Sequence, residues 1–180
     1  MFLADTGDNF ERRKHVQILE VTEPDALDGG ALEVRVLPFR YPDGAHDAEA
    51  LLAGAGALYV ITKEAKSLGR VYRINVSDAG DVLAATWVQE LRAPDGDAFT
   101  TAADLDPSGS RILLRTYGSV WEFRRDGARS VEEVLGARPR QVPARAQRQS
   151  ESIAWSADDR SFLIGSEGAG QPMFRTDCVP

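Results

Sequence analysis

Short apolar or alternating runs recur along the whole chain, each bounded by Gly, Pro, Asp or Asn. They fall at residues 1–5, 16–21, 32–39, 49–52, 58–62, 70–76, 82–91, 103–105, 111–116, 120–124, 151–155, 161–165 and 173–176. The β-branched and aromatic content of Leu58-Tyr59-Val60-Ile61-Thr62 and Val71-Tyr72-Arg73-Ile74 suits a pleated, half-buried surface. The breaks are turn chemistry: Asp43-Gly44, Ala79-Gly80-Asp81, Asp95-Gly96, Ser108-Gly109 and Asp126-Gly127. Residues 130–135 fit one helical turn and fit a strand equally well. The pattern predicts an all-β chain of many short strands, which means a sandwich, a barrel or a propeller.

An internal repeat selects the propeller. Three segments, beginning at Glu49, Thr101 and Glu151, each read as a strand of small and apolar residues, a tight polar turn and a stronger apolar strand. Their starts lie 52 and 50 residues apart. A third run follows each pair at 70–76, 120–124 and 173–176. A fourth, more polar run follows twice, at 82–91 and about 130–142. Four strands in a unit of about 50 residues is the signature of a propeller blade. The expected blades span about 46–95, 96–147 and 148–180, preceded by a partial blade over about 1–45. Within that partial blade, 1–5, 16–21 and 32–39 fit the second, third and fourth strands, with no innermost strand.

Composition narrows the partners. The chain has 180 residues and a net charge of −7, which argues against a nucleic-acid backbone as partner. No apolar stretch is long enough for a membrane span, and the first residues carry no signal-peptide pattern. The single cysteine, Cys178, forms no internal disulfide. Propeller rings close with four to eight blades. The expectation is therefore an open arc, an N-terminally truncated copy of a longer propeller, self-associating through open blade edges or completed by a second copy.

The turn at residues 106–114, Asp-Pro-Ser-Gly-Ser-Arg-Ile-Leu-Leu, resembles the inner hairpin of WD-like and YVTN-like propellers. Three strings resemble propellers of high-GC bacteria that have no assigned activity: Leu3-Ala-Asp-Thr-Gly-Asp-Asn-Phe-Glu-Arg-Arg, Tyr41-Pro-Asp-Gly-Ala-His-Asp-Ala-Glu-Ala-Leu and Leu114-Arg-Thr-Tyr. The chain is also loosely similar to phytase-like six-bladed propellers, where a glutamate opens an innermost strand. The resemblance implies fold more than activity, since propellers host many functions. It implies export, to the periplasm or beyond, for full-length relatives.

Blade geometry puts the start of each first strand and the end of each second strand on one face, around the channel mouth. The expected residues there are Glu49, Thr101 and Glu151, then Asp5, Lys63, Thr116 and Ser166, with Thr6, Glu64, Tyr117 and Glu167 one step beyond. Three readings of this face compete. In the first it holds a divalent cation, calcium, on the hard oxygens of Asp5, Asp8, Asn9, Glu49 and Glu151, with Asp47 near the shell. Against that, Asp-Thr-Gly-Asp-Asn also makes a plain turn through side-chain hydrogen bonds, and the glutamates can pair with backbone donors. In the second the face hydrolyses: paired carboxylates serve as acid and base, or His46 as a base oriented by Asp47. A histidine in this turn also reads as a plain loop residue, and a metal-dependent hydrolase or lactonase would use Asp5, Glu49 and Glu151. In the third the disc binds a protein or small-molecule ligand through Asp47, Lys63, Glu64, Thr101, Thr116, Tyr117 and Glu167. A basic, acid-free stretch holds Arg138, Arg140, Arg145 and Arg148; it reads as a solvated rim loop or a docking rim. Trp87, Trp121, Trp155, Tyr59 and Tyr72 fall in strand patterns and read as core between blades.

Overall fold

A computed structural model of the chain describes residues 1–23, 29–54, 56–77 and 81–178. The expected turn residues Ala79 and Gly80, and Ala55 in the first inner hairpin, lie outside these. The described elements run β1 (Phe2–Asp5), β2 (Val16–Val21), β3 (Val34–Arg40), β4 (Ala48–Gly54), β5 (Ala57–Thr62), β6 (Gly69–Asn75), β7 (Leu83–Ala84) and β8 (Thr86–Leu91). They continue with β9 (Thr100–Leu105), β10 (Arg111–Thr116), β11 (Val120–Arg124), α1 (Val131–Leu135), β12 (Arg140–Val142), β13 (Ser150–Trp155), β14 (Ser161–Ser166) and β15 (Phe174–Asp177).

These strands build four small sheets, ordered β1-β2-β3-β7, β4-β5-β6-β8, β9-β10-β11-β12 and β13-β14-β15. Within each sheet sequential strands pair antiparallel, as a meander does. The strands β4, β9 and β13 lie side by side in space, as the innermost strands of a propeller do. The chain is thus an all-β arc of propeller blades, with one helical turn among the described residues.

Burial explains the sequence pattern. All six residues of β5 are buried. Leu58 and Val60 pack toward the first sheet, and Tyr59 and Ile61 toward the third. Cover on both faces is why β5 reads as a continuous apolar run. In β2, by contrast, Val16 and Ile18 are buried while Gln17 and Leu19 are partly exposed, because one face is covered. The core lies in three seams. Val16, Ile18, Leu37 and Phe39 meet Leu58, Val60, Tyr72 and Ile74 between the first and second sheets. Tyr59, Ile61 and Val71 meet Ile112, Leu114, Trp121 and Phe123 between the second and third. Leu113 and Val120 meet Ile153, Phe162 and Ile164 between the third and fourth. Each such fully buried side chain contributes about 1.5–3 kcal/mol of transfer free energy.

Three details differ from the sequence pattern. The run 82–91 is two strands. Leu83 and Ala84 lie parallel to Phe39 and Arg40 of the first sheet, Ala85 N donates to Arg40 O at 2.9 Å, and Thr86 then starts the fourth strand of the second sheet. The run 130–142 is helix α1 followed by the three-residue strand β12. Ser130 Oγ accepts the Glu133 N–H at 3.2 Å, and Glu133 Oε2 accepts the Arg129 N–H at 3.1 Å. This Ser-x-x-Glu cap satisfies two amides that would otherwise have no partner within the helix, and so tips the segment to helix. The last strand lies one residue later than the pattern places it, at Phe174–Asp177.

Candidate functional site at the channel mouth

The ladder of each inner hairpin slips by one residue at the same end. Ala48 stands opposite Thr62 and Ala50 opposite Ile61, which leaves Glu49 as the extra residue. Thr100 and Ala102 face Thr116 and Arg115, leaving Thr101; Ser150 and Ser152 face Ser166 and Gly165, leaving Glu151. A bulge leaves its extra residue out of the ladder and re-aims its side chain. Three bulges in register therefore present Glu49, Thr101 and Glu151 at one end of the arc.

Lys63, Tyr117 and Glu167 each follow the last residue of the second strand, which is Thr62, Thr116 or Ser166. The sequence repeat sets Lys63 level with Thr116 and Ser166; the pairing sets Thr62 there instead. The three hydroxyls share a task. Each accepts a backbone N–H, from Arg70 at 2.9 Å, Ser119 at 2.9 Å and Gln149 at 3.3 Å respectively.

Asn9, Glu49, Lys63, Tyr117, Gln149, Glu151 and Glu167 line a pocket of about 450 Å3 at this end. Lys63 Nζ donates to Glu49 Oε1 at 2.8 Å and to the Tyr117 hydroxyl at 2.6 Å, and lies 4.7 Å from the Tyr117 ring centre. Burial works against the Lys63 charge, but the bonds to Glu49 and Tyr117 outweigh it and raise its pKa. Glu49 Oε2 is buried without a hydrogen-bond partner among the described residues. Burial, with Glu49 and Glu167 nearby, pushes the Glu151 carboxyl up, against the pull of Lys63 and Gln149. The Gln149 amide donates to Glu167 Oε2. Phe99, 6.2 Å from the Tyr117 ring, has φ 62° and is 42% exposed. A bulky L-residue in the left-handed region costs about 1–2 kcal/mol, here held by the Phe99 N–H bond to Glu64 O at 2.9 Å.

The structure divides the expected site residues into two groups. Asn9, Glu49, Glu151, Lys63, Tyr117 and Glu167 share the pocket wall. The others have partners elsewhere. Asp5 takes Arg13 Nη1 at 2.9 Å, Arg13 Nη2 at 3.2 Å and Gln17 Nε2 at 2.8 Å, and the Arg13 bond lowers its pKa. Asp8 Oδ2 accepts the N–H groups of Arg12 and Arg13, both at 2.7 Å, so the loop carries the turn chemistry weighed against metal. Asp47 Oδ1 accepts the Asp8 N–H at 2.7 Å. Glu64 Oε1 accepts the Thr62 hydroxyl at 2.9 Å. Thr101 is buried and donates to Ser150 O at 2.7 Å, tying two inner strands. Thr116 is buried and donates to Asp97 Oδ2 at 2.7 Å. Thr6 donates to Ala48 O at 2.8 Å. Among the described residues, no group of three or more His, Cys, Asp or Glu side chains is disposed to hold a metal ion.

His46 pairs with Asp43 rather than Asp47, at 3.0 Å, and with the Tyr72 hydroxyl at 3.0 Å. Tyr72 also donates to Asp43. Asp97 serves likewise in the next sheet, accepting Trp121 Nε1 at 2.8 Å. In both sheets a carboxylate ahead of the innermost strand clips an aromatic residue on the third strand. Two further mouth residues, Gln149 and Phe99, carried no signal in the sequence. Gln149 lies two positions before a bulge that pairing alone reveals, and a positive φ at Phe99 is not legible from its type.

No protein-family model matches the chain, and no curated protein matches it. Solved structures do. A candidate 6-phosphogluconolactonase from Bacteroides uniformis aligns with TM-score 0.53 and 13% identity, over 93% of this chain and 48% of that one. Hydrazine synthase of Kuenenia stuttgartiensis aligns with TM-score 0.48 and 12% identity, over 91% and 40%. The β-propeller domain of Cps50 (Swd1) from Myceliophteria thermophila aligns with TM-score 0.46 and 13% identity, over 99% and 52%. The chain thus spans about half or less of the structures it matches, and the likeness is one of fold: a β-propeller arrangement.

Proposed function

We propose that the chain is a binding module that holds its ligand at the channel mouth and meets a positive charge there. The observation that carries this reading is Glu49, which a bulge turns into the pocket with one oxygen on Lys63 and the other without a partner among the described residues. A buried acceptor without a donor costs about 1–3 kcal/mol, and a bound donor recovers it. Three carboxylates, Glu49, Glu151 and Glu167, line the pocket with one ammonium, that of Lys63, so the wall favours a cation and repels an anion. Tyr117 and Phe99 add exposed aromatic surface beside it, and such faces attract organic cations. Small-ligand sites have this form, a concavity with a few convergent polar groups.

Calcium is the second ligand class to test, because Asn9, Glu49 and Glu151 bring hard oxygen donors to one wall. Thermal unfolding with millimolar calcium, with choline and with a neutral sugar lactone separates the cases. A cation is expected to raise the Tm by several degrees, and Glu49→Gln to abolish the shift. If neither cation shifts the Tm, or the shift survives Glu49→Gln, the reading is wrong. Turnover of the lactone that depends on Glu49 would replace it with the hydrolase.

A further inference from the structure

Arg115 is the largest fully buried side chain among the described residues, 1% exposed. It follows Leu113 by two positions on β10, so the pleat turns both toward the fourth sheet. The seam it enters is apolar, with Leu113 and Val120 on one side and Ile153, Phe162 and Ile164 on the other. A guanidinium offers five N–H donors and keeps its charge at any ordinary pH. Here Nη2 donates to Ser150 Oγ, and Nε is buried without a hydrogen-bond partner among the described residues. Burial pushes the Arg115 pKa down, with Asp97 opposing.

The carboxylates nearest in the fold are committed elsewhere. Asp104 and Glu122 both stand opposite Leu113 in the ladder and so share its face. Asp104 Oδ2 accepts the Trp155 N–H at 2.7 Å, and Glu122 Oε2 accepts Arg140 Nη2 at 2.6 Å. Asp97 Oδ2 accepts the Thr116 hydroxyl and Trp121 Nε1. A buried charge is ordinarily paired, because one neutral hydroxyl does not repay the loss of its hydration. The surroundings also draw anions. A pocket of about 260 Å3 is bordered by Val120, which pairs with Arg115, and by Gln141 and Val142. Its wall at 141–144 belongs to the acid-free stretch 134–150, whose Arg138, Arg140, Arg145 and Arg148 are all exposed. Basic side chains around an opening raise the local concentration of anions.

We infer that the seam between the third and fourth sheets binds a small monovalent anion, of the class of chloride, on the Arg115 guanidinium. One uncompensated positive charge calls for one negative charge. Enclosure of the guanidinium to 1% exposure favours a single ion over a phosphate or an organic carboxylate. The site uses only the facing sides of these two sheets and draws on no surface at either end of the arc.

Thermal unfolding in sodium chloride and in sodium gluconate, at equal ionic strength and pH, tests this. Chloride is expected to raise the Tm by about 2–4 °C over gluconate. Arg115→Met keeps most of the bulk without the charge, and should leave no difference between the two salts. Arg124→Met, at an exposed arginine of the same sheet, should keep the difference whole. A second measurement needs no variant: crystals of the wild type grown in bromide should show anomalous scattering in contact with the Arg115 guanidinium. Equal Tm values in the two salts overturn the inference. So does a difference that survives Arg115→Met, or water in place of bromide at Arg115.

Discussion

Asp106 and Glu49 are both carboxylates on the inner hairpins, one at the turn end of the third sheet and one at the mouth end of the second. Asp106 is 2% exposed and fully engaged. Its oxygens accept the N–H groups of Ser110 at 2.8 Å and Arg111 at 2.7 Å, and the Ser108 hydroxyl at 2.5 Å. The turn it closes places Gly109 at φ 74°, where glycine is unstrained. The Arg111 side chain then crosses to the fourth sheet, donating to Asp159 O at 3.0 Å and lying 4.3 Å from the Trp155 ring centre. Glu49 has one oxygen engaged and one idle among the described residues. Beside Tyr117, which shares the pocket wall with Glu49, Phe99 occupies the φ that the turn gives to glycine. The turn end is optimised for folding, whereas the mouth end tolerates a bulge, a strained backbone and an excess of like charge. Asp159, in the turn of the fourth sheet, also has a positive φ, 63°, but Asp tolerates that region better than a bulky residue does. The less tolerated departures therefore lie at the mouth, where function is expected.

Four substitutions would break or sharpen that contrast. Asp106→Ala should have the largest effect, lowering stability by about 2–4 kcal/mol through the buried donors it leaves unpaired. Urea unfolding measures it; an unchanged midpoint would remove the turn end from the comparison. Burial opposes the Asp106 charge, but its hydrogen bonds and Arg111 prevail and lower its pKa. Its contribution is therefore full above about pH 4 and is lost as pH falls through the lowered value. The wild type should accordingly lose more stability in acid than Asp106→Ala does. Asp97→Ala, which frees the Thr116 hydroxyl and Trp121 Nε1, should cost about 1–2 kcal/mol in the same assay.

For Phe99 and Glu151 the sign reverses. Phe99→Asn should raise stability by about 0.5 kcal/mol, since Asn tolerates the left-handed region, while weakening any ligand that uses the Tyr117 and Phe99 rings. A loss of stability there would show that the ring supports the fold. Glu151→Gln should have the smallest effect, a gain of a few tenths of a kcal/mol at neutral pH. A carboxyl whose folded pKa is raised loses stability as pH rises from its unfolded value, about 4.3, through the folded one. Glutamine removes that slope, and unfolding curves between pH 4 and pH 7 would reveal whether it persists.

The fold was legible because turn dipeptides and a repeat of 52 and 50 residues recur between apolar runs. The mouth was legible as a neighbourhood, since Glu49, Glu151, Lys63, Tyr117 and Glu167 follow from hairpin geometry. What stayed hidden depends on partners that spacing does not show. Asp5 and Asp8 both read as hard oxygen donors, and spacing does not show that Arg13 closes on the one or that the other accepts two backbone amides. The bulges are invisible in one strand and appear only when two are paired, which is why the sequence repeat sets Lys63 one residue out of register. Val82 through Leu91 reads as one strand because nothing in its residue types reports that Leu83 belongs to another sheet.

The pairing of Leu83 and Ala84 with Phe39 and Arg40 also orders events in time. During synthesis the outer edge of the first sheet stays open until most of the second sheet has left the ribosome, so neither can be finished before the other has begun. Peeling the first sheet away must then undo a strand that the second sheet anchors directly through Thr86. Amide exchange should accordingly find these two sheets opening as one cooperative unit, with the third and fourth, which share no strand ladder with them, free to open on their own schedule.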